Sequence, residues 1–590
     1  MVLDNKITKK IHKAVELKLA GKNDEAINVF ERILETRPYL PSVLKPLSEL
    51  YVATMQYHNA VEMYERMIAI EDEEDLDGYF YVNYANALKF SGKYAAAEAN
   101  YLRSLDLLPN TPSVLIEYAQ YQFDLELFEE AVELYDQALS IDKNSLIALI
   151  GKSIIFSQTN KFDEAEAVIR KALALYPNNP YALEGLARIT LAAKKYVEAE
   201  DILVRAINLY PDMVLLRLDQ GLMYLRTYRL ELALQSYNDV LKLNPNVKMA
   251  QISKAYVLTQ LMQFEAALAE YDKLLQQGVD YDVMYKKSFT ELQMGRFSSG
   301  WENHEARLQL EKYIFYTPLV KEMGITWHRN TPSVDSNVLV YSEQGLGDVI
   351  QMSRYIKKLI DNGLNVTFHV DKSLYPLFKT MPEIANTVVD ERPVNYTQYT
   401  SVMSLPFEFQ TDAETIPLPL SIDLPAQEIT KWQNILGIKK SKRIGIVNSG
   451  NPKHINDYNR SILLKDLLQA LPLENEYYLL HKDIREVDLQ FLNTSECQHT
   501  VYIMKDHLTS FVDTACLCSM MDKVIGVDTS VIHLAGTLGK PTLLLLPYVP
   551  DWRWLLQTET TSWYPSITLL RQDEYGSWQG VWKKLPQYLS

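Results

Sequence analysis

Cysteine is scarce: Cys497, Cys516 and Cys518 are the only three in 590 residues. Three thiols cannot build a disulfide framework, and the Cys-x-Cys pair lacks the companion ligands of a zinc site, so buried thiols in a reducing compartment are expected. No apolar run approaches the roughly 18 residues that span a bilayer, and the N-terminus has no apolar signal core, so the expectation is a cytoplasmic chain without an integral membrane segment. Positive charge is also short, with 59 Lys and Arg against 75 Asp and Glu and a net charge of −16. That balance excludes nucleic acid and anionic membranes as main partners and requires any anion to be held by a few local groups. The six-residue dinucleotide fingerprint and the Gly-Lys-Ser/Thr phosphate loop are absent from the glycine segment described below.

What the chain has in abundance is repetition. Ala26, Ala60, Ala97, Ala131, Ala165, Ala199, Ala233 and Ala267 recur at steps of 34 residues, with one step of 37. Twelve residues before each stands a second small residue: Ala14, Ser48, Ala85, Ala119, Ser153, Ala187, Gly221, Ala255. Four residues after each alanine comes a large apolar side chain, from Phe30 and Tyr64 through to Tyr271. Two small positions per unit let paired helices approach closely, the large residue fills the gap to the next unit, and Pro38, Pro109, Pro177, Pro211 and Pro245 end the second helices. The extra three residues fall near the acidic run Glu71 to Asp77, read as a solvated loop. The pattern resembles the tetratricopeptide repeat, with eight units and a degenerate ninth (Ser288, Phe297, Gly300) over 1–310. Such arrays commonly hold a protein segment in their groove, here an acceptor protein; a spacer or dimerisation arm in a homo-oligomer is the rival reading. The array is similar to that of the protein O-linked N-acetylglucosamine transferases, but where those carry an asparagine ladder this chain has His12, Pro46, Asn83, Glu117, Gly151, Gly185, Asp219 and Ser253.

Beyond a junction at 311–336, strand-like and helix-like segments alternate, which predicts a parallel α/β architecture. The first lobe, 337–425, opens with a strand, the glycines Gly345 and Gly347 in a tight turn, and a helix starting near Asp348. Thr411 to Ser441 reads as an inter-lobe linker. The second lobe, 426–590, holds the polar loop Gly450, Asn451, Lys453, His454, Arg460 and the turn Asp528, Thr529, Ser530 at a helix start. Free amides and the positive end of a helix dipole suit a diphosphate, although capping alone would explain the same residues. Five of the eight tryptophans lie between Trp552 and Trp582, a cluster read as fixing the C-terminal segment onto its domain.

Four segments, E-Q-G-L-G-D-V-I-Q, G-N-P-K-H-I-N-D-Y-N-R-S, D-T-S-V-I-H-L-A-G-T-L-G-K-P and D-W-R-W-L, resemble bacterial proteins that fuse tetratricopeptide repeats to a glycosyltransferase. Their catalytic half is similar to the heptosyltransferases and related GT-B enzymes of two Rossmann-like lobes. The resemblance implies an α-solenoid followed by a GT-B fold, and transfer of a sugar from a nucleotide-sugar donor to a protein hydroxyl, flagellin or another surface protein among the acceptors. It implies Asp348 as the base, with His454 the alternative, and Asn451, Lys453, Arg460, Asp528, Thr529, Ser530 and His533 on the donor side; a core histidine is the bland reading of His533. Residues 337–590 lack the Asp-x-Asp pair of metal-dependent transferases, so no metal or other cofactor is expected; the hypothesised transferase is an inverting one. The rivals are transfer to a saccharide or lipid-linked saccharide, and a non-catalytic scaffold with a decayed transferase half.

Overall fold

A computed structural model of the protein describes residues 5–72, 75–310, 337–391, 396, 398–454, 456–556 and 558–589. The expected junction at 311–336 and part of the acidic loop lie outside them. The chain divides into two compact units, Met1–Met223 and Tyr224–Ser590.

The first unit is a stack of antiparallel helical hairpins, from Asn5–Leu19 with Asn23–Leu34 to Pro180–Ala192 with Tyr196–Leu209. Its signature alanines are all fully buried, and Phe30, Tyr101, Ile169 and Leu203 are as well, so each unit closes on the next through the residues that carry the repeat. Every hairpin turns through a left-handed residue, and only two of these six are glycines, Gly21 and Gly92; Met55, Glu126, Asn160 and Lys194 have φ between 59° and 61°. The turn is a Schellman closure, in which Gln56 N–H reaches back to the Tyr51 carbonyl at 2.7 Å. Among the described residues, no helix is long and apolar enough to cross a membrane.

The second unit begins inside the array. Hairpins Lys248–Gln260 with Phe264–Leu275 and Tyr281–Gln293 with Phe297–His304 precede two all-parallel sheets. In the first sheet the strands are β1 (Asn337–Tyr341), β2 (Asn365–His369), β3 (Val388–Val389) and β4 (Gln398–Ser401), in the order β3-β2-β1-β4. The second comprises β5 (Arg443–Val447), β6 (Glu476–Leu479), β7 (Thr500–Ile503), β8 (Lys523–Val527), β9 (Thr542–Leu546) and β10 (Ile567–Arg571), in the order β10-β9-β8-β5-β6-β7. Every residue of β5, β6 and β9 is buried, as helices on both faces of a parallel sheet require. Counted from its first strand the second sheet runs 3-2-1-4-5-6, the doubly wound order, with its reversal between β5 and β8.

The ninth hairpin is part of the α/β core. Trp301 is 1 % exposed, donates Nε1–H to the Thr411 carbonyl at 2.9 Å and meets Trp552 edge to face at 5.1 Å. Arg307, fully buried, donates to both oxygens of Glu343 at 2.9 and 3.0 Å and to Ser404 Oγ at 2.8 Å. The repeat sequence therefore runs to about 310, whereas the packing divides earlier, at 223/224. The expected linker contains the helix Ala426–Leu436, anchored by fully buried Trp432, whose Nε1–H meets Asp513 Oδ1 at 3.2 Å.

Candidate functional site

Strand order places two loops side by side, because the chain leaves β5 and β8 in opposite directions at the reversal. After β5 the chain passes Asn448, buried and donating to the Ile462 carbonyl at 2.9 Å and to Asp488 at 2.8 Å. Asn451 Oδ1 accepts the Lys453 amide at 3.0 Å, a local turn that keeps both residues on the exposed crest. His454 Nδ1 accepts the Asn456 amide at 3.2 Å, which puts the ring proton of a neutral imidazole on Nε2. Ser461 ties the loop base, accepting from the Gly450 amide at 3.1 Å and donating to Asp457 at 2.7 Å. Arg460 lies across Gly450, where a Cβ would stand 2.5 Å from Nη2, and donates Nη1–H to the Asp528 carbonyl at 2.8 Å. Glycine at 450 thus admits the guanidinium to the end of β8.

On the β8 side, Thr529 is the N-cap of the helix Ser530–Thr537, with extended backbone (φ −150°), but its side chain makes no capping bond. Its Oγ1 is buried with no hydrogen-bond partner among the described residues, and so are Asn448 Oδ1, Ser449 Oγ, Asn459 Oδ1, Arg460 Nε and both ring nitrogens of His481 at the end of β6. The Ser530 and Val531 amides, in the first helical turn, have no carbonyl one turn back to bond. An unpaired buried polar group costs about 1–3 kcal/mol, so this concentration at one sheet edge marks a place built for a polar partner. Burial pushes the His481 imidazole down to about 4, which keeps it neutral near pH 7.

Facing this edge is the start of the helix Leu346–Met352 in the first lobe. Gly347 packs against the Ser530 helix so tightly that a Cβ would lie 2.9 Å from His533 Cδ2 and 3.2 Å from Ser530 Cα. Asp348 Oδ2 accepts the Gly345 amide at 2.8 Å, the capping role, while Oδ1 is ion-paired with Arg553. Arg553 is the hub of the site. Its other groups reach Gln351 Oε1 and Asp551 Oδ1, each at 2.8 Å, and its guanidinium lies over Trp552 at 4.2 Å. Burial opposes the Arg553 charge, but Asp348, Asp551 and Asp528 outweigh it and hold the guanidinium above its ordinary range.

The three carboxylates differ. Burial pushes Asp528 up, yet the hydrogen bond and charge of His533, the Trp554 indole and Arg553 bring it down to about 2. Asp551 is raised, because burial and the charge of Asp528 exceed the opposing pull of Arg553. His454 is lowered by partial burial and then by Arg460, against the pull of Asp551, Asp528 and Asp348.

The structure brings Gly345, Gly347, Asp348, Gly450, Arg460, Asp528, Thr529 and Ser530 into one connected region. Lys453 and Asn451 stand on the crest outside the hydrogen-bonded network. His533 differs from a donor contact: the ring is 4 % exposed, stacks on Trp554 at 5.5 Å, and engages Tyr564 Oη at 3.1 Å through Nδ1 and Asp528 at 3.6 Å through Nε2. It is a core histidine that orients Asp528. Arg553 and Asp551 entered the sequence reading only within the D-W-R-W-L segment and were given no site role, although an arginine between two tryptophans, a residue type rarely buried without a partner, was an available signal. Trp552, Trp554 and Trp563 are no more than 2 % exposed and serve packing.

Models of the tetratricopeptide repeat match residues 84–145, 158–215 and 218–281. Among curated proteins, Protein FlbA of Caulobacter vibrioides is 22 % identical over 385 residues, covering 58 % of this chain and 61 % of its own length, so the chain spans less than two thirds of that relative. Among solved structures, a tetratricopeptide repeat protein from Parabacteroides merdae is 16 % identical and covers 43 % of this chain and all of its own, with a TM-score of 0.39. A tetratricopeptide protein of Thermus thermophilus is 21 % identical over 31 % of this chain and 99 % of its own, with a TM-score of 0.28. On the repeat models and the helical hairpins, the first 300 or so residues are a helical array of tetratricopeptide repeats, and the region after them carries parallel sheets.

Proposed function

We propose that residues 337–590 are a GT-B glycosyltransferase half that takes a sugar from a nucleotide donor and passes it to a hydroxyl of a protein recruited by the repeats. The observation that carries the reading is the set of unpaired buried polar atoms at the β5/β8 reversal, where doubly wound sheets bind nucleotides. Arg460 and the start of the Ser530 helix supply positive charge to a departing diphosphate, the part that a metal plays in other transferases. Asp348 and Asp551 are gathered around Arg553, one from each lobe. Flagellin or another surface protein suits an acceptor held by an array of repeats.

The test is thermal unfolding of the full chain with UDP, GDP, CMP and ADP, followed by turnover of the matching nucleotide sugars. One nucleotide at about 100 times its Kd should stabilise the protein by about 2.7 kcal/mol. Stabilisation by none of them, with no turnover of any donor, would leave a scaffold.

A further inference from the structure

The geometry points to Asp551, and not Asp348, as the group that removes the acceptor proton. This rests on the transferase reading above and names the base within it. Asp348 has both oxygens committed: Oδ2 holds the Gly345 amide at 2.8 Å and Oδ1 holds Arg553. Releasing either would uncap the Leu346 helix or unpair a buried guanidinium. Asp551 instead gathers both its protein bonds on Oδ1, from the Arg553 amide at 3.1 Å and from Arg553 Nη1 at 2.8 Å. Its Oδ2 accepts no hydrogen bond among the described residues, and the side chain is 34 % exposed against 21 % for Asp348.

One guanidinium grips both aspartates, so they share one site and differ in which oxygen is free. The charged groups that act on Asp551 are Asp528 from the end of β8 and Arg553 beside it; His454 from the polar loop feels Asp551 in turn, and Asp348 from the first lobe is linked to it through the shared Arg553. Burial, with the charge of Asp528 added and the pull of Arg553 set against them, leaves Asp551 a stronger base than an ordinary aspartate, while Asp528 is held ionised. In the step, the acceptor oxygen bonds to the anomeric carbon as its proton passes to Asp551 Oδ2. The bond from that carbon to the nucleotide's phosphate oxygen breaks, and its electron pair leaves with the nucleotide, a diphosphate or, for a CMP-linked sugar, a monophosphate, toward Arg460.

The experiment measures donor turnover and nucleotide affinity of the full chain with a panel of UDP-, GDP-, CMP- and ADP-linked sugars. Asp551→Ala should lower kcat by about 100-fold or more, and added formate, a diffusible carboxylate, should restore part of it. Nucleotide affinity should stay within about threefold, since the diphosphate is held elsewhere. Asp348→Ala should show no formate rescue. If Asp551→Ala does not fold, Asp551→Asn is read instead, with the same loss of kcat and retained affinity expected. Turnover of either Asp551 variant within about tenfold of the wild type, or formate rescue of Asp348→Ala alone, overturns Asp551 as the base and leaves the transferase reading standing. A wild-type chain that turns over none of the panel overturns both.

Discussion

At the scale of single residues, the site is governed by one buried cation among three carboxylates. Arg553 is the shared partner of Asp348 and Asp551, and because both carboxylates keep some exposure, 21 % and 34 %, losing it costs about 1–3 kcal/mol, less than breaking a fully buried pair. Arg553→Met should therefore destabilise the second unit by about that amount in urea unfolding. The sign of the pH dependence follows from Asp528. Its folded carboxyl is depressed to about 2, so its contribution is present above the ordinary carboxylate range and is lost as pH falls toward 2. Asp528→Asn should cost about 2 kcal/mol at pH 6, and the gap from wild type should close between about pH 4 and 2. A gap that is constant with pH would show that the stabilisation is not ionic.

At the scale of elements, close approach matters more than propensity. Gly347→Ala would drive a methyl into the Ser530 backbone, and overpacking of this kind costs about 1–3 kcal/mol. The seventh hairpin turns at Tyr228, another left-handed residue with φ 62°, and this presents its side chain to the polar loop. The Tyr228 hydroxyl donates to the Tyr458 carbonyl at 2.8 Å, and its ring packs against Tyr575 and Tyr458. Repeat and loop are thus joined two residues from Arg460. Tyr228→Phe keeps the ring and loses the bond, so about 1 kcal/mol of stability should go, with faster amide exchange confined to residues 450–461. Unchanged exchange there would mean the loop is held by its own base at Ser461.

At the scale of the whole protein, the packing boundary falls at 223/224, inside a run of repeats that looks uniform in sequence. A fragment beginning at Val214, the start of a helix, should unfold cooperatively with a well-formed aromatic environment. One beginning at residue 311 strips Arg307 from Glu343, Trp301 from Trp552 and Gln293 from the Pro550 carbonyl. Loss of the arginine alone leaves a buried carboxylate unpaired at about 3–5 kcal/mol, a large share of a domain's stability, so that fragment should lack a sharp urea transition.

The repeats were legible because their information is local: two small residues and one large one, at fixed spacing, specify which helix faces touch whatever surrounds them. The two site loops were legible for a similar reason, since Gly450 and the Asp528-Thr529-Ser530 turn carry the chemistry of strand-to-helix turns. The left-handed turns at Met55, Lys194 and Tyr228 were not, because those residue types do not favour that backbone and accept it only when two packed helices enforce it. Nor was the union of Asp348 with Arg553, 205 positions apart, and only burial chose the core reading of His533 over the donor contact. Local spacing therefore determined the repeat period, the strand-and-helix alternation and the candidate loops. Strand order and burial decided which loops meet, which carboxylate keeps an oxygen free and where the chain divides, because these depend on side chains brought together only when the sheets and the last repeats close on one core.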